Sequence, residues 1–149
     1  MRILGLDLGD KTIGVAVSDP SGLIAQGVAV IRRRDEAGDL KKIKELLRKY
    51  SARLIVVGLP RNMNGTLGEQ GQKAVAFAEK LKRATGLPVQ TWDERLTTLA
   101  AEKVLISADL TRARRKKVID KIAAALILQN FLDAKEVKNI DKGGPVKLE

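Results

Sequence analysis

The chain reads as an α/β fold: a mixed five-stranded sheet, three antiparallel strands followed by two parallel ones, flanked by helices. Three observations carry this. The N-terminal part holds three short apolar segments separated by turn residues, without helical period. From residue 35 the apolar spacing becomes helical, and helical segments then alternate with short apolar runs. No repeat or second composition interrupts the 149 residues, about the length of one domain.

Arg2–Leu8 is an apolar run ended by Gly9-Asp10 and reads as a buried strand. Thr12–Ser18 follows after a spacing that suits a tight hairpin. Asp19-Pro20-Ser21-Gly22 is a turn, and Leu23–Ile31 is expected to be the third strand of the meander. In Asp35–Tyr50, Leu40, Ile43, Leu46 and Leu47 recur at helical spacing, with Lys41, Lys42, Lys44, Arg48 and Lys49 opposite. Leu54–Val57 is a short continuous strand, followed by Gly58-Leu59-Pro60. Residues 61–71, with Asn62, Asn64, Gly65, Gly68 and Gly71, are expected to form a flexible loop. Gln72–Ala84 is predicted helical, with Val75, Ala78 and Leu81 inward, and Thr85-Gly86 stops it at a left-handed terminus. Val89–Trp92 is the fifth strand. Thr98–Ile106 predicts a short helix capped by Thr97 or Thr98, Thr111–Lys117 a basic connector, and Val118–Ala134 the last long helix. One domain over 1–135 is expected, with 136–149 a polar, disordered tail.

Composition narrows the chemistry. Lys plus Arg is 28 and Asp plus Glu is 18, a net charge of +10, and there is no His and no Cys. That excludes a Ser-His-Asp triad, a Cys nucleophile, a zinc finger, a disulfide and any His-ligated metal. Catalysis then falls to carboxylates, hydroxyls, Lys, Arg or a metal held by oxygen. The positive charge points to an anionic partner, of which nucleic acid is the commonest. The longest apolar runs, Leu54–Val57 and Ile122–Leu128, are far too short to span a bilayer, which takes ~20 residues. Met1-Arg2-Ile3-Leu4-Gly5 has the shape of a strand rather than a leader, so a cytoplasmic protein with no membrane partner is expected.

Three acidic positions stand out. Asp7 lies inside the apolar strand Ile3-Leu4-Gly5-Leu6-Asp7-Leu8-Gly9, where a carboxylate is costly unless paired or bound to a cation. Its plainer reading is a cap on the following hairpin. Asp93 and Glu94, in Trp92-Asp93-Glu94-Arg95, end the fifth strand at the carboxyl edge where open α/β sheets bind ligands. Acids favoured by the next helix's dipole are the plainer reading there. Asp120 falls on the stripe Asp120, Ala124, Ile127, Phe131 and so faces the core side, unless it simply pairs with a neighbouring Lys. Together these acids offer oxygen-only ligation that suits Mg²⁺ or Mn²⁺. Two such ions ~3.5–4 Å apart activate a water and stabilise the leaving oxygen of a phosphodiester. Arg112, Arg114, Arg115, Lys116 and Lys117 adjoin Asp120 and form the expected phosphate grip, joined by Lys11 and Arg95 beside the other acids. Tyr50, Phe77, Trp92 and Phe131 are the only aromatics, too few for a base-stacking platform, so backbone and shape recognition is expected. Arg61-Asn62-Met63-Asn64-Gly65 is either a closing loop or a plain surface one.

These residues carry a resemblance. Gly5-Leu6-Asp7-Leu8-Gly9-Asp10-Lys11-Thr12-Ile13-Gly14-Val15-Ala16, then Val57-Gly58-Leu59-Pro60, then Asp93-Glu94-Arg95-Leu96-Thr97-Thr98, then Asp120-Lys121-Ile122-Ala123-Ala124 resemble the YqgF/RuvX family in order over roughly residues 1–135. The resemblance implies an RNase H-like fold and a Mg²⁺- or Mn²⁺-dependent nuclease that matures the 5′ end of pre-16S rRNA, with precursor rRNA and the pre-ribosomal particle as partners. A Holliday junction resolvase acting on branched DNA, or an RNA-binding assembly factor without catalysis, are the alternatives. Asp7, Glu94 with Asp93 beside it, and Asp120 match the family's acids. Resolvases resembling RuvC place their second acid at the end of the fourth strand, where this chain has Gly58-Leu59-Pro60, and carry two acids on the last helix, where it has Asp120 followed by Ala123 and Ala124.

Overall fold

A computed structural model describes residues 1–94 and 112–141, the latter with side chains at 119 and 121–135. Five strands and three helices account for nearly all of this: β1 (Arg2–Leu8), β2 (Thr12–Ser18), β3 (Ala25–Arg32), α1 (Glu36–Tyr50), β4 (Ala52–Leu59), α2 (Glu69–Thr85), β5 (Val89–Asp93) and α3 (Arg112–Asp141). The sheet order is β3-β2-β1-β4-β5. β1 pairs antiparallel with β2, and β2 with β3, while β4 lies parallel to both β1 and β5. The meander followed by two parallel strands is the expected architecture.

Alternation along the central strands divides the core in two. Leu4 and Leu6 of β1, with Ile55, Val57 and Leu59 of β4, pack under Ile43 and Leu47 of α1 and Phe77 and Leu81 of α2. Ile3 of β1, with Leu54 and Val56 of β4, packs under Ala124, Ile127, Leu128 and Phe131 of α3. The second layer is tight: a Cβ added at Gly5 would lie 2.9 Å from Leu128 Cβ. Glycine there lets the helix approach the strand.

Local chemistry sets the element ends. Asp35 caps α1 by accepting the Gly38 N–H at 2.6 Å. Gly86, at φ 69°, ends α2 where Thr85-Gly86 is expected to stop it. β3 starts two residues later than the sequence predicts. Leu23 and Ile24 instead donate their N–H groups to the Asp19 carboxylate at 2.8 and 3.0 Å, which keeps them in the turn. α2 begins at Glu69, so the end of the expected loop is its first turn, and Ala74 and Phe77 are buried while Val75 is 37% exposed. Residues 112–117 are helical and not a connector, because Arg, Lys and Ala are good helix formers and no Gly or Pro intervenes. α3 continues through Asp141, past the expected start of the polar tail at Glu136, with no Gly or Pro before Gly143 to stop it. The predicted helix Thr98–Ile106 and residues 142–149 lie outside the described residues. Among those described, no helix is long and apolar enough to cross a membrane.

Candidate active site

Period-two alternation carries each strand's α3-facing row toward its carboxyl end. In β1 the row Ile3, Gly5 ends in Asp7, in β4 the row Leu54, Val56 ends in Gly58, and in β5 Trp92 is followed by Glu94. The parallel registers Leu6↔Val57 and Gly58↔Trp92 bring Asp7 and Gly58 level with Trp92, and Glu94 follows two residues beyond. Glu94 continues the pairing one step past β5, its N–H donating to the Leu59 carbonyl at 3.2 Å. Trp92 stands edge-on to Phe131 of α3, with ring centroids 5.5 Å apart, and so holds the end of β5 against the helix.

The result is a carboxylate pair. Glu94 is half-buried, and burial pushes its carboxyl from 4.5 up to about 7; the charge of Asp7, a hydrogen bond with Asp7 and the charge of Asp93 push the same way. The two carboxyl groups are hydrogen-bonded to each other, and this closeness favours the protonated form of Glu94. Glu94 lies over Gly58: a Cβ built there would collide with Glu94 Oε2. The end of β4, where the sequence departs from RuvC-like resolvases, is thus covered by an acid from the neighbouring strand. Asp7 itself is half-buried rather than sealed in the strand.

Asp93 faces Arg61, whose Nε lies 3.8 Å from the Asp93 carboxylate. The sequence names Arg61 only as part of a loop. The register Leu59↔Asp93 brings the residue two steps past Leu59 to this acid, and no local pattern shows that. The loop is internally bonded. The Arg61 Nη1 donates to the Gly65 carbonyl at 2.9 Å, the Asn62 N–H to the Thr66 carbonyl at 2.9 Å, and the Thr66 hydroxyl to Asn64 Oδ1 at 2.6 Å. Lys11 is exposed at the β1–β2 turn, and beside it Asp10 accepts from Gln70 at 3.1 Å.

Asp120 lies on α3 one turn before Ala124, whose carbonyl oxygen would stand 3.5 Å from a Cβ at Gly5. The next residue, Lys121, packs its backbone over Gly27 of β3, and the side chain of Asp120 is outside what the structure describes. Arg112, Arg114, Arg115, Lys116 and Lys117 stand on the first turns of α3, their side chains likewise outside it, and Arg95 lies outside the described residues altogether. Among the described residues, no group of three or more acidic side chains is close enough to hold a metal ion. The pair itself fits a hard cation, because its donors are all carboxyl oxygens.

Known proteins resemble this chain closely. Residues 1–134 match the family described as "RuvX: Holliday junction resolvase". A protein of Desulforamulus reducens named "Putative pre-16S rRNA nuclease" is 59% identical over 134 residues, 90% of this chain and 98% of the relative. One of the same name from Thermoanaerobacter pseudethanolicus is 58% identical over 139 residues, 93% of this chain and all of the relative. Among solved structures, T. thermophilus RuvC in complex with a Holliday junction substrate superposes with a TM-score of 0.59 at 18% identity, covering 92% of this chain and 96% of RuvC. The sheet order and this likeness make the fold RNase H-like.

Proposed function

This chain belongs to the RuvX family, and from that membership we propose that it is a metal-dependent endonuclease that processes the 5′ end of pre-16S rRNA in the cytoplasm. Its nuclease domain spans residues 1–135. The observation that carries the reading is the Asp7–Glu94 pair at the carboxyl edge of the parallel strands, two carboxyl groups held together and partly desolvated. Such an arrangement costs stability, and perturbed carboxylates of this kind concentrate at active sites.

Asp7, Glu94 and Asp120, with Asp93 beside them, would hold Mg²⁺ or Mn²⁺. When bound, such ions activate water and stabilise the leaving oxygen of a phosphodiester. The chain's own residues prepare for this. Glu94, poised at about 7, gives up its proton near neutral pH. Arg61 holds the neighbouring Asp93 at the rim. The basic first turns of α3, from Arg112 to Lys117, with Lys11 and Arg95, grip phosphates of precursor rRNA, and a pre-ribosomal particle is the natural setting. A second reading, cleavage of branched DNA, is favoured by the fold shared with a RuvC bound to a Holliday junction.

The deciding assay compares cleavage of precursor 16S rRNA and a four-way DNA junction in Mg²⁺ or Mn²⁺, wild type against Asp7→Asn. Cleavage of the rRNA at its 5′ end, lowered about 100-fold or more in Asp7→Asn with RNA affinity retained, is expected. Cleavage of the junction alone would move the substrate to DNA. Cleavage of neither, with tight RNA binding, would make the chain a non-catalytic assembly factor.

A further inference from the structure

The end of β4 raises a question the acids alone do not answer: what leaves room for them. Gly58 pairs with Trp92 of β5, and its α3-facing side is bounded by two side chains. A Cβ built there would collide with Glu94 Oε2 and lie 2.6 Å from Ile127 Cδ1. Both obstacles are the far ends of flexible side chains. At Gly5 the obstacle is Leu128 Cβ, which is anchored directly to the helix backbone, so α3 itself would have to move. The two glycines therefore have different uses. Gly5 serves the approach of a helix, whereas a side chain at 58 would be housed by moving Glu94 and Ile127.

We propose that Gly58 is a positioning residue of the site: its missing side chain is the space in which the Glu94 carboxylate lies beside Asp7. Strand β4 contributes no acid at this level and instead leaves β5 room to reach across it. The role concerns only where one carboxylate stands, and its importance for cleavage rests on the reading of Asp7 and Glu94 as holders of the divalent ion.

The test is Gly58→Ala, read by crystallography and by Mn²⁺ calorimetry as well as by cleavage. The fold is expected to persist, with Glu94 displaced from Asp7, Mn²⁺ affinity lowered ~10-fold or more, and affinity for RNA without metal unchanged. Gly58→Ala combined with Glu94→Asp, whose shorter carboxylate withdraws from the added methyl, is expected to bind Mn²⁺ more tightly than Gly58→Ala alone. Glu94 remaining beside Asp7 in Gly58→Ala, or a double variant no better than the single one, overturns the proposal. A displaced Glu94 with unchanged Mn²⁺ affinity upholds the positioning role and overturns the metal reading instead. If Gly58→Ala does not fold, the same comparison is made with Ile127→Ala added, which removes the helix-side obstacle and leaves the one at Glu94.

Discussion

The two faces of the sheet are made from the same strands and are built for different ends. Toward α1 and α2 they present Leu4, Leu6, Ile13, Val15, Ile55 and Val57, a continuous layer of large side chains. Its buried charge is Asp39, 2% exposed, which accepts from Arg33 Nε at 2.9 Å. Arg33 is further fixed by donating to the Gly9 carbonyl at 2.8 Å and by lying over the Phe77 ring. Toward α3 the strands present Ile3, Gly5, Ala16, Leu54, Val56 and Gly58, smaller residues under a helix brought close. That layer ends in two acids. Opposite charges brought together inside a fold support its architecture. Two acids brought together oppose it, one of them driven toward its neutral form, and they mark the face on which function is built.

Three perturbations test this contrast. The largest is Phe131→Ala. Phe131 is fully buried and holds Trp92, so its loss is expected to cost about 3–5 kcal/mol, read as a lower urea midpoint, and to take cleavage with it. Unchanged stability would mean that α3 is not a true second layer. Next is Arg33→Met on the opposite face, which leaves Asp39 buried without its cation. Because Arg33 is itself partly exposed, a loss of about 1.5–3 kcal/mol is expected, with cleavage per folded molecule unchanged. Impaired cleavage in a folded Arg33→Met would show that this face also serves the site. The third effect is one of pH. Between 4.5 and about 7 the folded chain keeps a proton on Glu94 that the unfolded chain has released, so stability falls as pH rises through that window. Glu94→Gln is expected to remove this slope and to be the more stable protein at its upper end, as measured by urea titrations at both ends. An identical slope in the variant would mean that Glu94 is not the group held protonated.

Much of the frame is legible from local pattern. β1 and β2 begin and end where expected, because Gly9-Asp10 and Asp19-Pro20 punctuate runs too short to be helices. β3 is displaced because side-chain acceptance by Asp19 outweighs the apolar character of Leu23 and Ile24. The α2 stripe is shifted because Val75 is apolar yet turned outward, while Phe77 supplies the bulk beneath. The basic residues 112–117 read as a connector by charge, yet charge on Arg and Lys does not oppose a helix. At the site, Asp7, Asp93 and Glu94 are visible because acids at the ends of apolar strands are unusual. Arg61 and Gly58 are not, since an arginine in a polar loop and a glycine before Leu-Pro have many ordinary explanations.

The order of residues alone specifies the mixed sheet, the switch from strand to helix period, and a chemistry without His or Cys that leaves oxygen ligands and basic side chains. These follow from composition and from periodicities within single segments. That residues 7, 58 and 94 meet, that Glu94 lies over Gly58, and that Arg61 faces Asp93 emerges with the packed fold. Those contacts depend on the parallel register among β1, β4 and β5. That register is set by packing α1, α2 and α3 on the two faces, across separations in the chain that no local pattern encodes.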